Sequence, residues 1–313
     1  RQSYENPPYG RWYEIVRLGM YPETHPYFWP VVGYMSDLQR ASVDDVKDFF
    51  RKYYSPSNAT LAVVGDFDPV QAKAWITKYF TDLPKGPSIA RPTATPPTKT
   101  TETRLVYEDR VQIPRLYIRW PTIATTHRDS PALDVLAQIL SGSRTARMTK
   151  ALVYDAQSAA SVNVFQNASE LVGDFGLQIV PRPNNSLTSL EMAVDSVIAR
   201  IKREGPTAEE IEPALAGIEF SFVSGLESNL GKAETLLQGA VYSNDPGQYK
   251  KDYAKLKAVT ALDVKRVANT YLGAGRVVLS IVPMGKTDMA SRPELSKKVT
   301  VAPDGGHYSV EPK

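Results

Sequence analysis

From Ser42 the chain takes on a helical rhythm. In SVDDVKDFFRKYY the apolar residues Val46, Phe49, Phe50 and Tyr53 recur at three- and four-residue spacing, which places them on one helix face. Ser42 suits the N-cap, and Asp44 and Asp45 suit the first turn, where acidic groups meet the positive end of the helix dipole. Pro56 stops the helix. The following run ATLAVVG (59–65) is short, continuous and apolar, which predicts a buried strand, and 69–80 predicts a second amphipathic helix. Upstream, 11–20 fits a short helix between Pro8 and Pro22. Between 84 and 104 the rhythm disappears into prolines and threonines with almost no large apolar side chains, so an extended linker is expected. After it the pattern resumes. Strands are predicted at 116–120, 161–165, 176–180 and 276–282, and helices at 132–140, 147–154, 187–203, 207–226 and from Thr260 onward.

Two of these stretches match. SVDDVKDFFRKYYSPSNATLAVVG at 42 aligns without a gap to TALDVKRVANTYLGAGRVVLSIVP at 260, an offset of 260 − 42 = 218. Cap residue, helix face and strand all stay in register. A chance helix–strand likeness yields a few such pairs; a tandem duplication accounts for the whole set. The second copy starts near Leu105, so its twin should require about 110 residues ahead of Arg1. The expectation is one complete domain at 105–285, the rear part of a related one at 1–83, the linker at 84–104 and a tail at 286–313 with little core-forming content.

Composition narrows the function classes. A chain of 313 residues has room for about two domains. Its 42% hydrophobic and 23% charged content is that of an ordinary globular protein. A net charge of +3 is too small to argue for nucleic acid or an anionic membrane, and no apolar run reaches the roughly 18–20 residues of a membrane span. The absence of cysteine removes disulfides, thiolate zinc sites and cysteine nucleophiles. Because the chain opens on Arg1 with no signal peptide, the natural protein is expected to start elsewhere.

The order and spacing of several segments resemble the pitrilysin/insulinase family of zinc metallopeptidases. They are RQSYENPPYG, HPYFWPVVGYMSDLQRASVDDVKDFFRKYYSPSNATLAVVGDFDP, RLYIRWPT at 115–122 and GPTAEEIEPALAGIEFSFVSGLE. The resemblance implies an α/β (α+β) fold of tandem homologous domains, each a sheet with a helix layer, closing as a clamshell over an unfolded peptide. It also implies an inverted H-x-x-E-H zinc helix and a distal glutamate in the first domain. Neither is present: His25, His127 and His307 never fall in that spacing, and in relatives the distal glutamate lies just before the RQSYEN counterpart. The chain is therefore expected to be a truncated or processed piece of a zinc endopeptidase, with zinc in the parent protein and none in this chain. It supplies the second domain and a cleft wall, and is inactive alone. A natural protein without its catalytic half, serving peptide binding or assembly, is the alternative. Many relatives anchor the peptide with an arginine and a tyrosine seven residues later; here Val153 and Ala160 stand at those places. That departure resembles subunits that borrow anchoring from a homologous partner or a fused tandem half. A periplasmic or secreted location is implied by bacterial relatives.

Single residues are weighed against simpler roles. Tyr4, Asn6 and Tyr9 follow the lost ligand and are the candidate substrate-binding residues; the simpler reading is a proline-braced loop packed on the domain. His25, in HPYFWP, has no second histidine or acidic cluster at ligand spacing and reads as packing. His127 and His307 read as solvated loops. SGSRTAR at 141–147 lacks the phosphate-loop pattern and reads as a turn between helices. The Asp109–Arg110 and Glu209–Glu210 pairs read as solvated charge.

Overall fold

The computed structural model describes residues 2–302 and 307–311. Along the chain, α1 (Gln2–Glu5), α2 (Trp12–Met20), α3 (Met35–Arg40), α4 (Val43–Tyr53) and α5 (Pro69–Phe80) precede strands β1 (Thr103–Asp109) and β2 (Arg115–Thr122). Helix α6 (Ser130–Ser141) and a π-helical turn (Thr149–Asp155) lead to β3 (Ala159–Ala168) and β4 (Gly173–Pro181). Then come α7 (Leu187–Glu204), α8 (Ala208–Gly225), α9 (Asn229–Ser243), α10 (Gln248–Lys257) and α11 (Ala261–Tyr271), and last β5 (Val277–Pro283), β6 (Lys297–Val301) and β7 (Tyr308–Val310). Two compact units result: one of Arg1–Leu38, Thr93–Ala216 and Leu256–Lys313, the other of Gln39–Pro92 and Gly217–Lys255.

The larger unit is built on one seven-stranded mixed sheet in the order β3-β4-β2-β5-β1-β6-β7. β1 runs parallel to both β5 and β6, while β2 runs antiparallel to β5 and β4. Strand side chains alternate between faces, and both faces of the central strands are covered. On one face, Ile15, Val16 and Met20 of α2 pack with Leu105, Tyr117, Leu279 and Ile281. On the other, α7 and α11 cover β2 and pack on each other. That face also carries a buried ion network, in which Glu191 of α7 accepts from Arg104 (2.9 Å) and Arg276 (2.6 Å), and Arg276 reaches Asp195 and Glu102. Burial alone would raise the Glu191 pKa, but hydrogen bonds from Arg104 and Ser291 and the arginine charges hold it below the usual carboxylate range.

The α/β class expected from the sequence is what the chain adopts, and its two compact units do not follow the boundaries expected at 83 and 105. Residues 1–38 group with the large sheet because α2 supplies three buried apolar side chains to it. The tail differs from its expectation as well. Val299 is buried against the sheet, β6 pairs with β1, and β7 pairs with β6, so this stretch closes the sheet instead of trailing from it. The stretch 84–102 forms neither helix nor strand. Residues 227–257, for which no element is expected from the sequence, form α9 and α10.

In the smaller unit, α4 is capped as its sequence requires: Ser42 Oγ accepts from the Asp45 amide (3.1 Å) while the Asp45 carboxylate accepts from the Ser42 amide (2.8 Å). That reciprocal arrangement satisfies two otherwise orphaned donors. Asp68 caps α5 through the amides of Val70 and Gln71. Neither helix has a buried residue. The strand expected at 59–65 is not formed, because a strand needs a neighbour for its backbone donors and acceptors and none is ranged beside it.

Candidate functional site

The N-terminal segment and the sheet face beneath it hold the residues singled out from the sequence. Tyr9 adopts a left-handed backbone (φ 64°), uncommon for a side chain of its size, and its contacts explain why it is held there. Its amide donates to Asp109 Oδ2 (2.7 Å), its hydroxyl to the Ile113 carbonyl (2.7 Å), and the Arg115 guanidinium lies 3.6 Å from its ring centroid. Tyr9 is thus an anchor between the segment and β1–β2, and Asp109, expected as solvated charge, is its acceptor. Asn6 lines an open, polar cavity of about 660 Å³ together with Arg11, Tyr107, Glu108 and Lys298. Tyr4 is exposed and does not line that cavity. The three candidates are therefore not brought to one point.

A side chain that the sequence reading passed over dominates this face. Arg119, at the centre of β2, is 1% exposed. Its guanidinium lies between Trp12 (4.6 Å to the ring centroid) and Phe165 (4.1 Å) and donates to Asp174 of β4. Gly176, directly opposite in the β2–β4 register, leaves the space: a Cβ there would fall 2.1 Å from Arg119 Nη1. Burial lowers the Arg119 pKa, against the opposing pull of Asp174. Arg119 Nε and Nη2 are buried without a hydrogen-bond partner. The available signal was an arginine interrupting the apolar run Leu116–Pro121 of β2.

The three histidines go to three separate places. His25 is buried, stacks on Tyr21 (4.6 Å), and its Nδ1 accepts from the Tyr27 amide at the start of a short 3-10 turn; burial lowers its pKa. His127 Nδ1 accepts from the Asp129 amide. His307 is exposed, as expected, and lies on the Tyr34 ring within hydrogen-bond reach of Ser36. Among the described residues no three His, Cys, Asp or Glu side chains converge as a metal site, and the donor set here does not fit the zinc that the resemblance implies. Nor does SGSRTAR make an anion loop. Arg147 is buried and spends its donors on Glu210 (2.6 and 2.7 Å) and the Gly205 carbonyl (2.8 Å), which also corrects the expectation of Glu210 as solvated charge. Val153 sits half-buried in the π-helical turn and Ala160 is exposed at the start of β3. Neither side chain can hydrogen-bond a peptide backbone.

Comparison with known proteins agrees with this geometry. A family profile described as the peptidase M16 inactive domain matches residues 40–218. The chain is 27% identical over 254 residues to the zinc protease PqqE of Helicobacter pylori, covering 79% of this chain and 56% of that protein. Among solved structures it resembles a protease from Helicobacter pylori (TM-score 0.81, 24% identity, 90% of this chain and 69% of that one). It also resembles a peptidase M16 inactive domain from Pseudomonas fluorescens (TM-score 0.75, 22% identity, 87% of this chain and 64% of that one). The chain spans little more than half the length of the curated relative. No helix among the described residues is long and apolar enough to cross a membrane.

Proposed function

We propose, since the chain belongs to the peptidase M16 inactive-domain family, that it is the non-catalytic part of a zinc endopeptidase that handles unfolded peptides. The observation that carries this reading is the fate of the histidines: each sits in its own local packing or turn, and among the described residues they do not converge with other ligands on a shared point. Zinc and the water it activates would belong to a separate H-x-x-E-H helix, and this chain would bring a sheet wall for the substrate.

Peptide anchoring is the second part of the proposal. The side chains of Val153 and Ala160 offer no donor or acceptor where many relatives place a cation and a phenol, so this chain's own domain would hold a peptide weakly. A homologous subunit, or a fused tandem half, would supply the arginine–tyrosine pair. The gene sequence upstream of Arg1 tests the first part. H-x-x-E-H within the missing domain front supports the peptidase; a front without it supports a binding or assembly subunit of the same family. Cleavage by the completed chain with and without the homologous neighbour tests the second. Full activity that the neighbour does not change would end it.

A further inference from the structure

The chain passes between its compact units at 38–39, 92–93, 216–217 and 255–256. His25 and the turn it caps lead into the first of these crossings, and Thr95 follows soon after the second. Within the larger unit the His25 ring faces the Thr95 backbone. The ring is well enclosed: His25 is 7% exposed. Its Nδ1 accepts from the Tyr27 amide (3.0 Å) as the N-cap of the 3-10 turn Pro26–Phe28. The ring lies on Tyr21 (4.6 Å between centroids) and edge-on to Tyr27 (5.6 Å). The Tyr27 hydroxyl in turn accepts from the Leu171 amide (3.1 Å) in the β3–β4 connection. An Nδ1 that accepts carries no proton, so the neutral ring holds its proton on Nε2. That nitrogen is buried without a well-formed hydrogen bond. The ionisable groups against the ring are the phenols of Tyr21 and Tyr27. Arg17 of α2 and Asp174 of β4 bear on Tyr21, Glu23 is exposed, and among the described residues no charged side chain bears on His25 itself.

We propose that His25 is an acid-sensitive latch, whose protonation at Nδ1 opens the turn at Pro26–Phe28 and frees the Thr95 end of the segment 93–102. Nδ1 takes a proton from solvent, and the Tyr27 amide loses its acceptor. Two donors then face each other, and a positive charge sits in a pocket with no carboxylate to offset it. Turning the ring out to water relieves both, and takes it away from Tyr21 and from the Thr95 backbone. Burial lowers the His25 pKa, so the open turn binds the proton more tightly than the closed one. The latch is therefore shut above the ordinary histidine value of about 6.5 and loosens below it. Farther along, Lys99 stays seated. Its carbonyl closes over Gly275, where a Cβ would fall 1.6 Å away, and its Nζ donates to Thr103 Oγ1 (2.6 Å). The opening is thus confined to the turn and to the segment ahead of Lys99. It does not depend on peptide cleavage.

Hydrogen exchange of the 313-residue chain at pH 7.5 and pH 5.0, with each rate divided by its intrinsic value, tests the latch. Protection of the Tyr27 and Leu171 amides is expected to fall roughly tenfold at the lower pH, while amides of β2 and β5 keep theirs. His25→Asn retains a capping acceptor and cannot titrate, so its Tyr27 and Leu171 protection should be equal at both pH values. Ring-proton NMR needs no variant: the His25 signal should titrate together with the Tyr27 amide, with the exposed His127 and His307 as references. The proposal is overturned by unchanged protection at pH 5.0, by an equal loss in His25→Asn, or by a His25 titration that leaves the Tyr27 amide unmoved. Parallel loss across β2 and β5 overturns it too, since that would be general acid unfolding.

Discussion

Arg119 and Asp174 form an ion pair on the α2-facing side of the sheet, with Arg119 fully buried. Removing one member of such a pair strands the other charge in a low-dielectric setting, whereas replacing both with apolar groups avoids that penalty. Asp174→Ala is therefore expected to destabilise the larger unit by about 3–5 kcal/mol, with Arg119→Met combined with Asp174→Leu recovering much of the loss. Urea midpoints of the two variants check this; equal losses would mean that the pair is not what holds Arg119 in place. Asp134, in α6, poses a different case: burial pushes its carboxyl up to about 7 from 3.8. A carboxyl whose folded pKa is raised binds its proton more tightly in the folded state. It therefore opposes folding increasingly as pH climbs from about 4 to 7, and fully above that. Asp134→Asn should flatten that slope and raise stability at pH 8 by about 1–3 kcal/mol. Thermal midpoints at pH 5 and pH 8 decide it, and an unchanged difference between them would refute the assignment.

Among the elements, the paired helices α4 and α11 give an internal control, because the same capped helix is buried in one place and bare in the other. Val264→Ala is expected to cost about 1–3 kcal/mol through lost burial and a cavity. Val46→Ala at the matching position should stay within about 0.5 kcal/mol, as exposed substitutions do. Similar losses at both sites, read by chemical denaturation, would show that α4 is covered after all. Limited proteolysis should cut first within 84–102, where no helix or strand protects the backbone. These elements also show what was legible in the sequence. Caps, helix faces and strand cores were readable because they depend on residues a few positions apart. The unpaired state of 59–65 was not, because a strand is completed by neighbours remote in the chain. The same holds for the site. The lack of a zinc spacing was visible in the sequence, but Arg119, whose role depends on Trp12, Phe165, Asp174 and Gly176, is assembled from four separate segments. The anchoring contacts of Tyr9 were not legible either, since Asp109 and Ile113 lie 100 or more positions away.

At the scale of the whole molecule, a unit built on a seven-stranded sheet, with no convergent metal ligands among the described residues, accompanies a second unit whose apolar side chains are largely exposed. The buried network around Glu191 ties the start of the domain at Arg104, its end at Arg276 and the tail at Ser291 to one carboxylate. The domain should therefore unfold as a unit, and Glu191→Gln should weaken all three connections together. The most direct measurement is hydrolysis of an unstructured fluorogenic peptide by the purified 313-residue chain with added zinc, alone and then with the portion carrying an H-x-x-E-H helix. The account predicts no cleavage by the chain alone and cleavage once that portion is supplied. Zinc-dependent cleavage by the chain alone, with stoichiometric bound metal, would contradict it.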